Sequence, residues 1–288
     1  NHLSDLPLND EVFHFVWVQD LFGIESFKKT TKLRLNDYAF YLTEGHKDSL
    51  AELNISSQFQ PFCINSKVYK LRENIKREKK IVFIGSSYKN AYDGITHPNK
   101  DFICEETFLR YIKEGFILYS ERAKLLIKYD ISDLEFGHIM NYIERDLSLL
   151  YIAQLDLDYE LEIYGMGWEV YPEIKSKYKG VLNYGEDISK VYNSARYGLV
   201  IGGYIMQQRT LESSASGAIP LAFDSSENGD NEESIKFNDS IQLFKRLDDL
   251  SNILGLKTEF DLKYIVDENS YENFAKKIIN IIKKNGNK

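Results

Sequence analysis

The chain has 288 residues, 43% hydrophobic and 28% charged, an ordinary globular balance that excludes a disordered or fibrous protein. Its 36 Lys and Arg stand against 44 Asp and Glu, a net charge of -8, so no overall positive field exists to hold a nucleic-acid backbone or an anionic membrane. Cys63 and Cys104 lack the spacing of a metal site and read as reduced thiols, and no apolar run approaches the ~20 residues of a membrane span.

The chain opens at Asn1 with neither an initiator Met nor a signal-peptide pattern, which suggests a piece of a longer protein with the cytoplasm as its default compartment. Residues 11–20, EVFHFVWVQD, predict a buried strand that opens into a loop at Gln19 and Asp20. Strands are expected at 38–43 and 58–63 with a short helix over 47–53 between them, the pattern of the last strands of an α/β sheet. The strongly charged run 69–80 reads as a solvated connection and a boundary. It separates residues 1–68, the C-terminal part of a truncated Rossmann-like domain, from a second Rossmann-like domain at 69–288.

A strand at 81–87 restarts the pattern, and two long amphipathic segments follow at 105–129 and 134–155. Strands are then expected at 159–165, 180–184, 197–202 and 219–223, with helices over 187–196 and 208–216 between them. After an acidic loop at 225–234 come a strand-helix unit at 241–254 and a closing amphipathic helix over 271–284. Such alternation implies an α/β fold, a parallel sheet with helices on its faces.

In such sheets ligands bind outside the carboxyl ends of the strands. That rule selects Gly85-Ser86-Ser87, Gly165-Met-Gly167-Trp168, Gly202-Gly203-Tyr204 and the helix start at Gln208-Arg209. The small Gly85-Ser86-Ser87 turn reads either as a tight βα turn or as a backbone cradle for phosphate. Neither the P-loop nor the GxGxxG pattern occurs, so ATPase and dehydrogenase chemistry are unsupported. Arg209, Thr210 and Glu212 fall in the first turn of their helix, with Arg209 and Glu212 at i and i+3 on one face. An Arg for a diphosphate beside a carboxylate for a ribose diol is what a sugar nucleotide needs, whereas a surface ion pair is the plainer alternative.

Gly217 is the expected residue just past this helix, with Pro220 as a stop, and Ser213 to Ser216 are small enough for close packing. Asp20 is placed to act as a general base, while His14, inside an apolar strand, reads more readily as a core histidine. Trp168 and Tyr171 suit either stacking on a ligand or packing. Asp156-Leu-Asp158 precedes a strand and reads as a connection rather than a metal site, which leaves a metal-free mechanism with Arg209 and helix N-termini offsetting leaving-group charge.

Ile163-Tyr-Gly-Met-Gly-Trp168, Tyr178-Lys-Gly180, Asn183-Tyr184, Val191-Tyr-Asn-Ser-Ala-Arg196, Arg209-Thr-Leu-Glu212 and Ser216-Gly-Ala-Ile-Pro220 together resemble the C-terminal domain of CgeB-like glycosyltransferases. Val16-Trp-Val-Gln-Asp20 is similar to the strand near the end of that family's N-terminal domain. The resemblance implies a GT-B architecture, two Rossmann-like domains facing a cleft, with the nucleotide-sugar donor held by the C-terminal one. It implies Glu212 on the ribose hydroxyls, Arg209 on the diphosphate, Gly85 and Ser86 beneath the phosphates, and Asn183 and Tyr184 near the base. Gly165, Gln208 and Thr210 complete the implied donor site, and Tyr204 stands where many relatives carry a second Glu.

The implied activity is hexosyl transfer to a glycan, lipid or protein hydroxyl in the cytoplasm or at the inner membrane face, in the manner of enzymes that build bacterial surface glycans. A non-catalytic sugar-nucleotide or glycan-binding module and a purely structural domain are the alternatives. Only about 65 residues precede the second domain, too few for a whole Rossmann domain, so the acceptor side would be cut down or built by residues outside this chain or by a partner chain.

Overall fold

The structure, a computed structural model, describes residues 12–19, 37–225, 236–257 and 259–285. β1 (His14–Trp17), β2 (Asp37–Tyr41) and β3 (Ser56–Phe59) form a parallel three-stranded sheet in that order, with α1 (Glu44–Glu52) crossing from β2 to β3. The side chain of Thr43 caps the first turn of α1. The expected helix is thus present and begins three residues earlier, at the cap. Asp20, the candidate base, and residues 226–235 of the acidic loop lie outside the described residues.

The larger sheet is parallel throughout, with order β5-β4-β6-β7-β8. Its strands are β4 (Glu78–Ile84), β5 (Glu160–Tyr164), β6 (Ala195–Val200), β7 (Ile219–Phe223) and β8 (Gln242–Phe244). Between β4 and β5 run α2 (Lys89–Asp93), α3 (Lys100–Glu114), α4 (Tyr119–Tyr129), α5 (Asp133–Tyr142), a π-helical turn (Ile143–Leu147) and α6 (Ser148–Ile152). α7 (Glu186–Ser194) leads into β6 and α8 (Gln208–Ala215) into β7. α9 (Leu250–Ile253), α10 (Leu262–Glu268) and α11 (Tyr271–Asn285) follow β8.

The period of two along each strand divides the core. Ile81 and Phe83 of β4, Leu161 and Ile163 of β5, Tyr197 and Leu199 of β6 and Ile219, Leu221 and Phe223 of β7 pack with α3 to α6 on one face. Val82, Ile84, Val200 and Ala222 pack with Ile188 and Tyr192 of α7, Leu211 and Ala215 of α8 and Ile265 of α10 on the other. Being apolar on both faces is what makes these strands near-continuous hydrophobic runs. Since the connection after β4 covers one face and those entering β6 and β7 the opposite face, the winding reverses between β4 and β6.

The third strand spans Ser56–Phe59 where one over 58–63 is expected, and further elements differ from the sequence reading. The segment 180–184 is not a strand; only its approach pairs with β5, through Ile163 N to Lys177 O, Lys179 N to Ile163 O and Gly165 N to Gly180 O. Gly180 and Gly185, at φ 97° and 98°, bend the backbone out of extended conformation at both ends. The long segment 105–129 is divided at Gly115 (φ 88°), where an added Cβ would fall 2.5 Å from the Lys245 carbonyl oxygen. The segment 134–155 is interrupted by the π-helical turn. Glu78 to Lys80, assigned to the charged connection, are the first residues of β4, and Lys80 pairs with Glu162 of β5 at 2.9 Å.

α10 was not anticipated, and α11 returns to the N-terminal sheet. Phe274 packs at 5.0 Å from Trp17 and 4.8 Å from Phe40, and Lys277 donates to Gln60 at 2.8 Å. His14 sits half-buried beside Asp37, its Nδ1 3.6 Å from the carboxylate, across the β1–β2 register. Among the described residues no helix is long and apolar enough to cross a membrane.

Candidate functional site

All five strands of the larger sheet run parallel, so the turns after Ile84, Tyr164, Val200 and Phe223 share one rim. The turn after β4 is buttressed rather than open. The amides of Gly85 and Ser87 donate to the carbonyls of Tyr164 and Met166, each at 2.9 Å, and Trp168 Nε1 donates to the Gly85 carbonyl at 2.6 Å. Of the three amides in this turn, only that of Ser86 makes no hydrogen bond to another described residue. Gly165 (φ 137°) is required by closeness, because a Cβ there would lie 2.1 Å from the Gly85 oxygen. Gly165 and Trp168 therefore shape the turn, and Trp168, fully buried, has no ring face left for a ligand.

α8 begins at the same rim, after a loop in which Gln207 Nε2 donates to the Gly202 carbonyl at 2.8 Å. It ends as predicted at Gly217 (φ 83°). The Gly217 amide reaches Ser214 O and the Ala218 amide reaches Ser213 O, both at 2.9 Å, the reciprocal pattern of a Schellman stop. Its small residues let it lie on β6, where a Cβ on Gly198 would be 2.6 Å from that of Ser213.

This seating carries the charged pair inward. Glu212 is fully buried and its carboxylate pairs with Arg209 Nη1, while Arg209 Nε donates to the Ile84 carbonyl at the end of β4, at 3.1 Å. Tyr184 OH donates to Glu212 Oε1 at 3.0 Å and Gln208 Nε2 to the same oxygen at 3.2 Å. The pair is not a surface decoration. A buried carboxylate held by three donors lies where the winding reverses.

Two tyrosines behind the pair are incompletely satisfied. The hydroxyls of Tyr69 and Tyr192 are buried and make no well-aligned hydrogen bond among the described residues. Tyr69 lies edge-on to Tyr184, ring centroids 6.2 Å apart, and burial first, then the charge of Glu212, pushes its phenol far up. Burial likewise raises Tyr192, against the lowering effect of Arg209.

A second guanidinium meets the same turn. Arg145, in the π-helical turn, donates from Nη1 to the Ser86 carbonyl at 3.1 Å and stacks over the Tyr88 ring at 4.3 Å, while its buried Nε has no partner among the described residues. Its neighbours are engaged elsewhere. Glu144 pairs with Arg122, and Asp146 accepts from Ser87 Oγ at 2.5 Å, the Tyr88 amide at 2.9 Å and Tyr171 OH at 2.7 Å. Burial outweighs these three donors and raises the Asp146 carboxyl above its ordinary value.

Arg145 was missed in the sequence because it lies within a segment that reads as helical. The available signal was the triplet Glu144-Arg145-Asp146 inside an otherwise apolar run; in the π-turn Glu144 and Asp146 are buried and Arg145 reaches the Ser86 carbonyl.

Arg209, Glu212, Gln208 and Tyr184 converge, and Gly85 and Ser86 lie beside them. Thr210 turns away; its hydroxyl is buried and donates to the Ile205 carbonyl at 2.5 Å. Asn183 is exposed and donates to Asp187 at 2.9 Å. Tyr171 is tied to Asp146, and Asp158 pairs with Lys79 at 2.5 Å. Among the described residues no three His, Cys, Asp or Glu side chains come together as metal ligands. The arrangement offers two cations for an anion on the β4 turn and a buried carboxylate for hydroxyls beside it. No protein-family model matches the chain, and no curated protein matches it significantly.

Proposed function

We propose that the larger sheet binds a nucleoside diphosphate sugar at the point where its winding reverses, and that the chain serves a glycosyltransferase of GT-B type. The observation that supports this reading is the seating of Arg209 and Glu212, a guanidinium on the end of β4 and a fully buried carboxylate one turn away. Arg209 and Arg145 would face the diphosphate and Glu212 the ribose hydroxyls. Two cations fixed before binding stabilise charge that grows on a departing nucleoside diphosphate without reorganising. The acceptor is a hydroxyl on a glycan, lipid or protein, and no metal-dependent step is invoked.

One observation favours a second reading. Arg209 and Glu212 already satisfy each other, as a purely structural pair would. Calorimetric titration with UDP, GDP, ADP and CMP separates the two: binding that weakens in Arg209→Ala supports the donor site, and silence with all four supports the structural pair. Donor hydrolysis by the binding-competent protein, lost in Glu212→Ala, then distinguishes an enzyme from a binding module.

A further inference from the structure

Tyr184 presents a contradiction. The residue is 70% exposed, yet its hydroxyl donates to the fully buried Glu212. The side chain thus lies across the carboxylate like a cover, on a segment that lacks strand pairing and is bounded by Gly180 and Gly185 at positive φ. Within this segment Val181 is also exposed. Beneath the cover, the hydroxyl of Tyr69, a residue only 3% exposed, lies close to Glu212 and Tyr184 but makes no well-aligned hydrogen bond among the described residues. A buried hydroxyl without a well-aligned partner destabilises a fold, and one that lies beside a buried carboxylate is placed to bond a ligand group that reaches it.

We propose that the Tyr184 hydroxyl occupies the position of a ligand hydroxyl, and that Tyr69 and Glu212 form the floor of a vicinal-diol site that opens when residues 181–184 swing outward. Glu212 accepts from one hydroxyl of the diol and the Tyr69 phenol bonds the other. The site rests on the proposed donor reading, in which the diol is the ribose, and adds to it a recognition residue and a displaceable occupant. The two hinge glycines carry the backbone change, since their conformations already lie outside the range other residues favour. Tyr184 competes with the ligand, so part of the binding free energy goes into displacing it.

Ligand recognition and structural support by Tyr69 separate at a single atom, the phenol oxygen. Tyr69→Phe deletes a hydroxyl that makes no well-aligned hydrogen bond among the described residues, so the variant should melt at the same temperature as wild type or higher, whereas removal of a structural hydroxyl lowers it. The variant should also bind the best of UDP, GDP, ADP and CMP about tenfold more weakly, the loss of one hydrogen bond in a buried site. The 2′,3′-dideoxy counterpart of that nucleotide should bind wild type and Tyr69→Phe alike. Tyr184→Ala, which removes the occupant, should bind the ribonucleotide at least twofold more tightly.

Equal affinity of wild type and Tyr69→Phe for the ribonucleotide, an equal loss for the dideoxy compound, or weaker binding by Tyr184→Ala overturns the diol site while leaving the donor reading intact. Binding that responds to Tyr69→Phe but not to Arg209→Ala overturns the diphosphate contact and leaves the diol site standing. Silence of both wild type and Tyr184→Ala with every nucleotide overturns the two together.

Discussion

Arg209 and Glu212 should respond very unequally to removal of their partner. Taking one member from a buried ion pair costs about 3–5 kcal/mol, because the other charge is left in a poorly solvated place. In Arg209→Met the stranded group is Glu212, at 0% exposure, and the bond to the Ile84 carbonyl is also lost. A loss of about 3–4 kcal/mol follows, since Tyr184 and Gln208 still donate to the carboxylate. In Glu212→Gln the stranded group is a guanidinium whose side chain is 28% exposed and keeps its bond to Ile84, so about 1–2 kcal/mol is expected.

The double variant removes both charges and should lose at least about 1 kcal/mol less than the sum of the single losses. Urea denaturation of the four proteins, analysed by linear extrapolation, measures the cycle. Additivity within about 0.5 kcal/mol, or a greater loss for Glu212→Gln than for Arg209→Met, would refute the placement of this pair.

Close packing of α8 on β6 makes Gly198→Ala an overpacking change, with the new Cβ 2.6 Å from that of Ser213 and 3.0 Å from the Tyr192 ring. It should cost about 1–3 kcal/mol in the same denaturation assay, and a neutral result contradicts the seating of the helix. Asp146 supplies a pH test. Its folded-state carboxyl is raised by burial, so the folded chain binds this proton more tightly than the unfolded one, whose value is near the ordinary 3.8. The ionised group therefore lowers stability as pH rises from 3.8 through the raised value, and a wild-type decline missing from Asp146→Asn over that window is expected. Identical pH profiles of the two proteins overturn the direction of the shift.

The larger sheet was legible in the sequence because its strands are buried on both faces and read as short apolar runs between glycines. Helix α8 was legible almost to the residue, since its stop depends on Gly217 and its sheet-facing side on small serines. The segment 180–184 misled because an apolar Val181-Leu182 pair suggests a strand, while the two glycines that bend it look unremarkable in sequence. Arg145 was hidden by a change of helical register that three charges in an apolar run only hint at. Tyr69 was hidden by its neighbours: it opens a charged run, and what distinguishes it is the carboxylate of Glu212, far along the chain.

An anion bearing a diol should bind where the winding reverses between β4 and β6. Calorimetric titration of UDP, GDP, ADP and CMP into wild type, Arg145→Ala and Arg209→Ala measures this. At least one nucleotide should bind wild type with Kd between about 1 μM and 1 mM, and each substitution should weaken it about tenfold or more, as loss of a charged hydrogen bond does. Nucleotide binding unchanged in both variants, or no heat from any nucleotide at millimolar concentration, would rule out an anion site held by Arg145 and Arg209.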